Sequence, residues 1–270
     1  MGRLSWRLAR VAEVRPETSR VASLALDVPG WDGHLAGQHV DLRLTAEDGY
    51  QAERSYSIAS APDGQRVELT VERLDDGEVS PYLAGELREG DQFELRGPIG
   101  GYFVWEPGLG GPLLLIAGGS GVVPLMAMLR HRAASGSQAP TRLLYSSRTL
   151  EDVIFRDELE RLAAAGDGLT VTHTLTRAQP PGWRGYARRV DAVMLEEVGW
   201  RPDERPLAYV CGPTRLVEAV AGALVALGHD PARVRTERFG PTGVEEWTRP
   251  TCGWTATTWP GCSPRCSSST

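Results

Sequence analysis

Two kinds of hydrophobic patterning divide the chain, and they change over near residue 110. Before that point apolar and polar residues alternate in short runs, over 7–11, 21–26, 37–44, 67–73 and 92–95. Period-two alternation buries one face of each run and wets the other, as in half-buried strands. Pro29-Gly30-Trp31-Asp32-Gly33 reads as a turn between two of them. Several such strands without a long helix predict an antiparallel barrel. Past the linker-like stretch Pro107-Gly108-Leu109-Gly110-Gly111-Pro112, the pattern changes. Strands are predicted over 113–117, 141–146, 169–175, 207–211 and 234–240, with helices over 124–134, 155–165, 190–197 and 214–227. That alternation predicts a parallel sheet with helices on both faces. Two domains are therefore expected, over 1–107 and 108–243, followed by a tail over 244–270.

Three stretches stand out against this pattern. In Arg54-Ser55-Tyr56-Ser57 a strand would put Arg54 and Tyr56 on one side and Ser57 on the other. A cation beside a flat ring suits a ligand with a phosphate at one end and a heterocycle at the other. Ser57 reaches the same ligand only where the strand ends or bends, or through its N–H. A half-buried strand with a packed tyrosine has the same pattern. The second stretch is the apolar run Leu113-Leu114-Leu115-Ile116-Ala117, followed at once by Gly118-Gly119-Ser120-Gly121 and a helix. Strand, glycine turn and helix bring backbone N–H groups to a pyrophosphate, although the spacing is not that of the G-x-G-x-x-G fingerprint. The third is Tyr209-Val210-Cys211-Gly212-Pro213. Gly118, Ser146, Thr176 and Cys211 fall at or just past predicted strand ends, where parallel sheets bind ligands.

In this order and spacing, these stretches together with Gly97-Pro98-Ile99-Gly100 resemble the ferredoxin–NADP reductase superfamily, over roughly residues 5 to 243. The resemblance implies a Greek-key β-barrel that holds flavin and a Rossmann-like α/β domain that holds a nicotinamide dinucleotide. It assigns Arg54, Tyr56 and Ser57 to the flavin, and Gly77, Val79 and Ser80 to its pyrophosphate. There a Gly-x-x-Ser segment leads into a short helix, and Ser80 is equally a plain helix cap. The Gly97–Gly100 stretch becomes a turn near the flavin. The second ligand falls to Gly118, Gly119, Ser120, Gly121, Pro124, Ser146, Arg148, Thr176, Arg177, Cys211, Gly212 and Pro213. Ser57 and Cys211 become the catalytic pair, one beside the flavin and one beside the nicotinamide. Phe239 matches a late aromatic that covers the flavin, and is equally an ordinary core residue. FAD is expected rather than FMN. Thr176-Arg177 resembles the pair that holds a 2′-phosphate in NADPH-preferring members, with Arg148, Arg188 and Arg189 nearby. NADPH is therefore expected over NADH, although Glu151 and Asp152 also stand close.

Composition narrows the remaining choices. At 270 residues, 41% hydrophobic and 24% charged, the chain is an ordinary globular protein. A net charge of -6 gives no basic footprint, so no nucleic-acid partner is expected. No run is long and apolar enough to span a bilayer and no signal sequence is legible, so a cytoplasmic monomer away from membranes is expected. Lysine and asparagine are both absent, as a GC-rich gene would explain. No plant-type iron–sulfur cysteine pattern occurs, so electrons are expected to pass to a separate ferredoxin or oxygenase component. A stand-alone flavin or quinone reductase and a non-catalytic flavin scaffold or redox sensor are the alternatives. His39, inside an alternating strand, is expected to be structural. No metal site is expected, because Cys252, Cys262 and Cys266 in the tail are irregularly spaced and have no histidine beside them. The tail is expected to be irregular or disordered, with the composition of an out-of-frame reading.

Overall fold

A computed structural model describes residues 4–46, 48–62 and 66–239. Its first half is built from β1 (Arg7–Thr18), β2 (Val21–Asp27), β3 (His39–Thr45), β4 (Gln51–Ser57), β5 (Arg66–Glu72) and β6 (Gln92–Ile99), all paired antiparallel in the order β4-β3-β6-β1-β2-β5. An Ile58↔Leu69 bridge joins the end of β4 to β5 and closes the sheet into a barrel. Inward positions such as Leu24, Leu26, Val40, Leu42, Leu69 and Leu95 fill it. A short helix, α1 (Ser80–Gly85), covers the passage from β5 to β6.

Two local predictions change. β1 runs on to Thr18 through Glu13, Arg15, Pro16 and Glu17, because register shifts between Val11 and Glu13 and between Pro16 and Thr18 let it absorb the proline. Gly97, Pro98 and Ile99 were expected in a turn, but they remain in β6, whose Ile99 pairs with His39, and the turn begins at Gly100.

The second half is a parallel sheet of β7 (Leu113–Gly118), β8 (Thr141–Ser147), β9 (Leu169–Leu175), β10 (Leu207–Pro213) and β11 (Val234–Phe239), in the order β11-β10-β7-β8-β9. Its helices are α2 (Val122–Ala134), α3 (Arg156–Ala164), α4 (Ala192–Val198) and α5 (Thr214–Ala226). Leu115, Tyr209 and Cys211 pack with α2 and α3 on one face, and Leu114, Ile116 and Val210 with α4 and α5 on the other. The strand order reverses between β7 and β10, which is where open α/β sheets form a ligand crevice.

The two halves share one apolar core. Ala36, Ala59, Phe103 and Trp105 from the barrel side join Leu115, Met128, Tyr209 and Cys211. The Tyr209 hydroxyl donates to the Val104 carbonyl at 2.6 Å, Arg235 donates to the same oxygen at 2.7 Å, and the Phe103 and Tyr209 rings meet edge to face at 5.3 Å. Among the described residues no helix is long and apolar enough to cross a membrane. The tail with Cys252, Cys262 and Cys266 lies outside the described residues, as do residue 240 and the strand end expected there.

Candidate active site

On the barrel side, register fixes which way β4 points its side chains. Arg54 lies opposite Leu42, Tyr56 opposite Val40, and Ser57 opposite His39. Leu42 and Val40 are core residues, so Arg54 and Tyr56 share the inner phase and Ser57 takes the other. The strand ends at Ser57, the condition under which its hydroxyl can turn toward the ligand of its neighbours. Ser57 is buried, and its Oγ has no hydrogen-bond partner among the described residues. A buried hydroxyl without a partner carries a desolvation cost that a polar ligand atom would offset. Tyr56 packs against the barrel core, and burial pushes its phenol up to about 12, so it stays neutral. Half-exposed Arg54 reaches the Glu78 carboxylate at 3.1 Å and donates to the Glu53 carbonyl at 2.7 Å. A phosphate arriving there has to share the guanidinium with Glu78. His39 is half-buried, and burial lowers its pKa against the opposing pull of Asp41.

Gly77, Val79 and Ser80 form the approach to α1. A Cβ on Gly77 would lie 2.8 Å from Ser80 Oγ. Val79, not Ser80, occupies the N-cap, and it offers no side-chain cap. Ser80 is the first helical residue, and its buried hydroxyl accepts the Leu74 N–H at 3.1 Å. Ser80 is therefore not a helix cap. Its hydroxyl folds the loop back on itself, and the backbone N–H groups of the first turn are what remain for an anion.

On the sheet side the site is made from missing side chains. Gly118 ends β7, a 3-10 turn covers Gly119, Ser120 and Gly121, and α2 begins at Val122 with buried Pro124 in its first turn. A Cβ on Gly121 would fall 2.2 Å from the Cys211 carbonyl oxygen, and one on Gly212 would fall 3.1 Å from the Gly118 backbone. The glycine turn thus crosses directly over β10 at Cys211 and Gly212. Ser146 pairs with Gly118 across the sheet, and Pro213 with Phe239. Phe239 packs against the core cluster that holds Cys211. Cys211 was expected at a strand end, but β10 continues two residues beyond it and the thiol is fully buried. Burial, then the neighbouring Glu237, push its pKa well up, so it is a neutral thiol and not a nucleophile.

The expected cations at the far edge come together through the backbone. The Thr176 N–H donates to the Ser147 carbonyl and the Arg177 N–H to that of Arg148, each at 2.9 Å. This places Arg148 and Arg177 on adjacent loops past β8 and β9. Both are exposed, and neither has a carboxylate partner among the described residues. Arg188, by contrast, is taken by Asp191 at 2.8 Å. Asp152 is engaged by the N–H and hydroxyl of Thr149.

One residue of this crevice escaped the sequence reading. Glu237 pairs with Cys211 across β10 and β11, its Oε2 is buried without a hydrogen-bond partner among the described residues, and burial pushes its carboxyl up to about 7. The signal was present in Arg235-Thr236-Glu237-Arg238-Phe239, where the inward phase of a last strand carries a carboxylate. No group of His, Cys, Asp or Glu among the described residues could hold a metal ion.

A barrel that presents phosphate- and ring-binding groups, joined to a parallel sheet with a glycine-built dinucleotide crevice, defines a flavin- and nicotinamide-dependent oxidoreductase. Residues 7–104 match the family described as Oxidoreductase FAD-binding domain, and residues 115–222 match Oxidoreductase NAD-binding domain. Ferredoxin–NADP reductase B of Sorangium cellulosum is 38% identical over 238 residues, which cover 86% of this chain and 96% of that protein. The naphthalene 1,2-dioxygenase system ferredoxin–NAD(P)+ reductase component of Pseudomonas putida is 30% identical, and the match covers 77% of this chain but only 61% of that protein's length. Among solved structures, the FAD/NAD binding domain of nitric oxide dioxygenase from Vibrio cholerae superposes with a TM-score of 0.77 at 28% identity, covering 87% of this chain and 99% of that one. The chain belongs to the ferredoxin–NADP reductase superfamily. It is an NAD(P)H-dependent flavoprotein reductase that uses FAD and a nicotinamide cofactor and passes electrons on.

Proposed function

We propose that this protein draws electrons from NADPH and passes them through FAD to a separate protein acceptor, a ferredoxin or an oxygenase component. The flavin unit is residues 1–107 and the nicotinamide unit residues 108–243. The observation that carries the nicotinamide choice is the pair of exposed guanidiniums of Arg148 and Arg177 on backbone-linked loops, neither with a carboxylate partner among the described residues. A 2′-phosphate needs such cations, whereas a free ribose diol is commonly read by a carboxylate, and Asp152 is already engaged. The protein acceptor is supported by relatives whose names describe ferredoxin and oxygenase reductases.

A flavin held between these two halves would supply the hydride acceptor for a reduced nicotinamide and the electron donor for the acceptor protein. The chain's own residues supply binding, orientation and protons. Arg54 would hold phosphate, Tyr56 would lie against the ring system, and the Ser57 hydroxyl would offer the hydrogen bond that it lacks among the described residues. The first turn of α1, entered through Gly77 and Val79 and braced by Ser80, takes the flavin pyrophosphate. Gly118, Gly119, Ser120 and Gly121 admit the dinucleotide backbone, with Pro124 stiffening the start of α2. Ser146, Arg148, Thr176 and Arg177 receive its adenosine end. Cys211, Gly212 and Pro213 would floor the nicotinamide side, with the neutral thiol buried beneath that floor. Phe239 shields the crevice from water. Glu237 holds a proton near neutrality beside Cys211.

The test is steady-state reduction of a [2Fe–2S] ferredoxin by NADPH and by NADH, with free flavin as the competing acceptor. NADPH should be the better donor and ferredoxin the better acceptor. Preference for NADH would overturn the 2′-phosphate assignment, and free flavin outcompeting every protein acceptor would overturn the partner.

A further inference from the structure

We propose that Arg130 is a positioning residue, fixing the end of the flavin strand against the helix that starts at the glycine turn. The inference rests on the reductase reading above. Arg130 lies on α2, nine residues after Gly121, which is about 13 Å along a helix axis. One end of this rod therefore begins at the dinucleotide turn, and the other carries a guanidinium into the join between the two halves.

That guanidinium is almost fully engaged. Its Nε and Nη2 donate to the two oxygens of Glu158 on α3 at 2.9 and 2.7 Å, a fork that fixes its plane. Its Nη1 then crosses to the barrel, donating to Glu68 Oε1 at 2.6 Å and to the Ala59 carbonyl at 2.8 Å. Ala59 is two residues past Ser57, and its N–H donates to the Glu68 carbonyl at 2.7 Å. The turn leaving β4 is thus held from both sides, by β5 and by Arg130. The Arg130 side chain is 15% exposed, and those of Glu68 and Glu158 are 16% and 23% exposed. Burial disfavours the Arg130 cation, but the paired carboxylates outweigh it and raise its pKa, so the charge is permanent. The Phe155 ring, 5.0 Å below the guanidinium carbon, completes the seat. A cleft of about 620 Å³ lined by Arg15, Glu68, Arg130, Phe155 and Glu158 opens beside this network. It contains neither Ser57 nor Cys211, so Arg130 acts on the reaction through the strand and not by touching a ligand.

The geometry demands arginine. A lysine ammonium has no planar fork, so it cannot hold Glu158 by two bonds while reaching Ala59. The test compares the full chain with Arg130→Met and Arg130→Lys. Flavin-loaded protein is mixed anaerobically with rising NADPH, and amide hydrogen exchange is followed in the same chains without added ligand. In Arg130→Met the limiting rate of flavin reduction should fall about tenfold to a hundredfold, as misalignment of reacting groups does. The half-saturating NADPH concentration and flavin occupancy should stay within about threefold, since neither ligand site loses a contact. Lysine should fail to restore the rate, and amides of residues 58–60 should exchange faster while β1 and β2 stay protected. A limiting rate unchanged in a variant that merely melts earlier would overturn the proposal and leave a structural brace. Unchanged exchange at residues 58–60 would overturn it even if wild-type flavin is not reduced by NADPH, an outcome that refutes the reductase reading separately. If Arg130→Met does not fold, Glu158→Gln removes the fork alone, and an undiminished limiting rate in that variant would overturn the proposal.

Discussion

The barrel end and the sheet end of this crevice are built on opposite principles. The barrel offers side chains, namely Arg54, Tyr56 and Ser57 on one strand, and Arg54 is already engaged by a carboxylate. The sheet offers backbone, because Gly121 and Gly212 leave room where a Cβ would meet the backbone of β10 and β7, and Gly118 where one would meet Leu216 on α5 and Pro213. A side-chain site can lose one group and keep its shape. A backbone site is less forgiving, because an added Cβ at Gly121 or Gly212 meets the main chain of a neighbouring strand.

The sharpest way to break the contrast is Gly121→Val, which forces side-chain atoms into Cys211. Overpacking of this kind costs ~3 kcal/mol, and NADPH binding should vanish while residual folded protein still takes up flavin. Calorimetry and a flavin-release assay would check both halves of that statement. Arg54→Ala should come next, weakening flavin about tenfold to a hundredfold, the worth of a charge-assisted hydrogen bond, with the fold and NADPH affinity intact. Its mirror, Glu78→Gln, frees Arg54 and should tighten flavin a few-fold at low salt. On the sheet side, Arg177→Ala should raise the KM for NADPH about tenfold while leaving that for NADH alone, because a charge-assisted contact to the 2′-phosphate is lost.

The smallest effect concerns pH. Burial lifts the folded-state pKa of Glu237 to about 7, above the ordinary carboxylate value of 4.5. Between those values the folded protein holds a proton that the unfolded chain releases, so this group lowers stability as pH rises from 4.5 to 7, with the full penalty present above 7. Glu237→Gln should therefore raise Tm by a few degrees at pH 8 and leave it unchanged at pH 4, which thermal melts across that range would show.

The same contrast explains how much was legible beforehand. The parallel sheet announced itself because strands buried on both faces are continuous apolar runs, such as Leu113-Leu114-Leu115-Ile116. The far half of β1 did not, because Glu13, Arg15, Pro16 and Glu17 read as loop until bulges and pairing with β2 supply the reason for a strand. In the site, Arg54 and Cys211 were legible as residue types in a motif. Their surroundings were not. The Glu78 pairing, the crossing of Gly121 over Cys211 and the sealing of the thiol depend on elements more than twenty residues apart. Glu237 was missed because a single carboxylate in a strand looks solvated until the neighbouring strand shows which face is buried.

The most direct measurement is rapid anaerobic mixing of the flavin-loaded protein with NADPH, following the flavin absorbance through one turnover. If the Ser57 strand and the Cys211 strand present their ligands to each other, the oxidised flavin band bleaches in a single fast phase, and NADH bleaches it more slowly. A yellow protein that holds its flavin but is bleached by neither nicotinamide would contradict it.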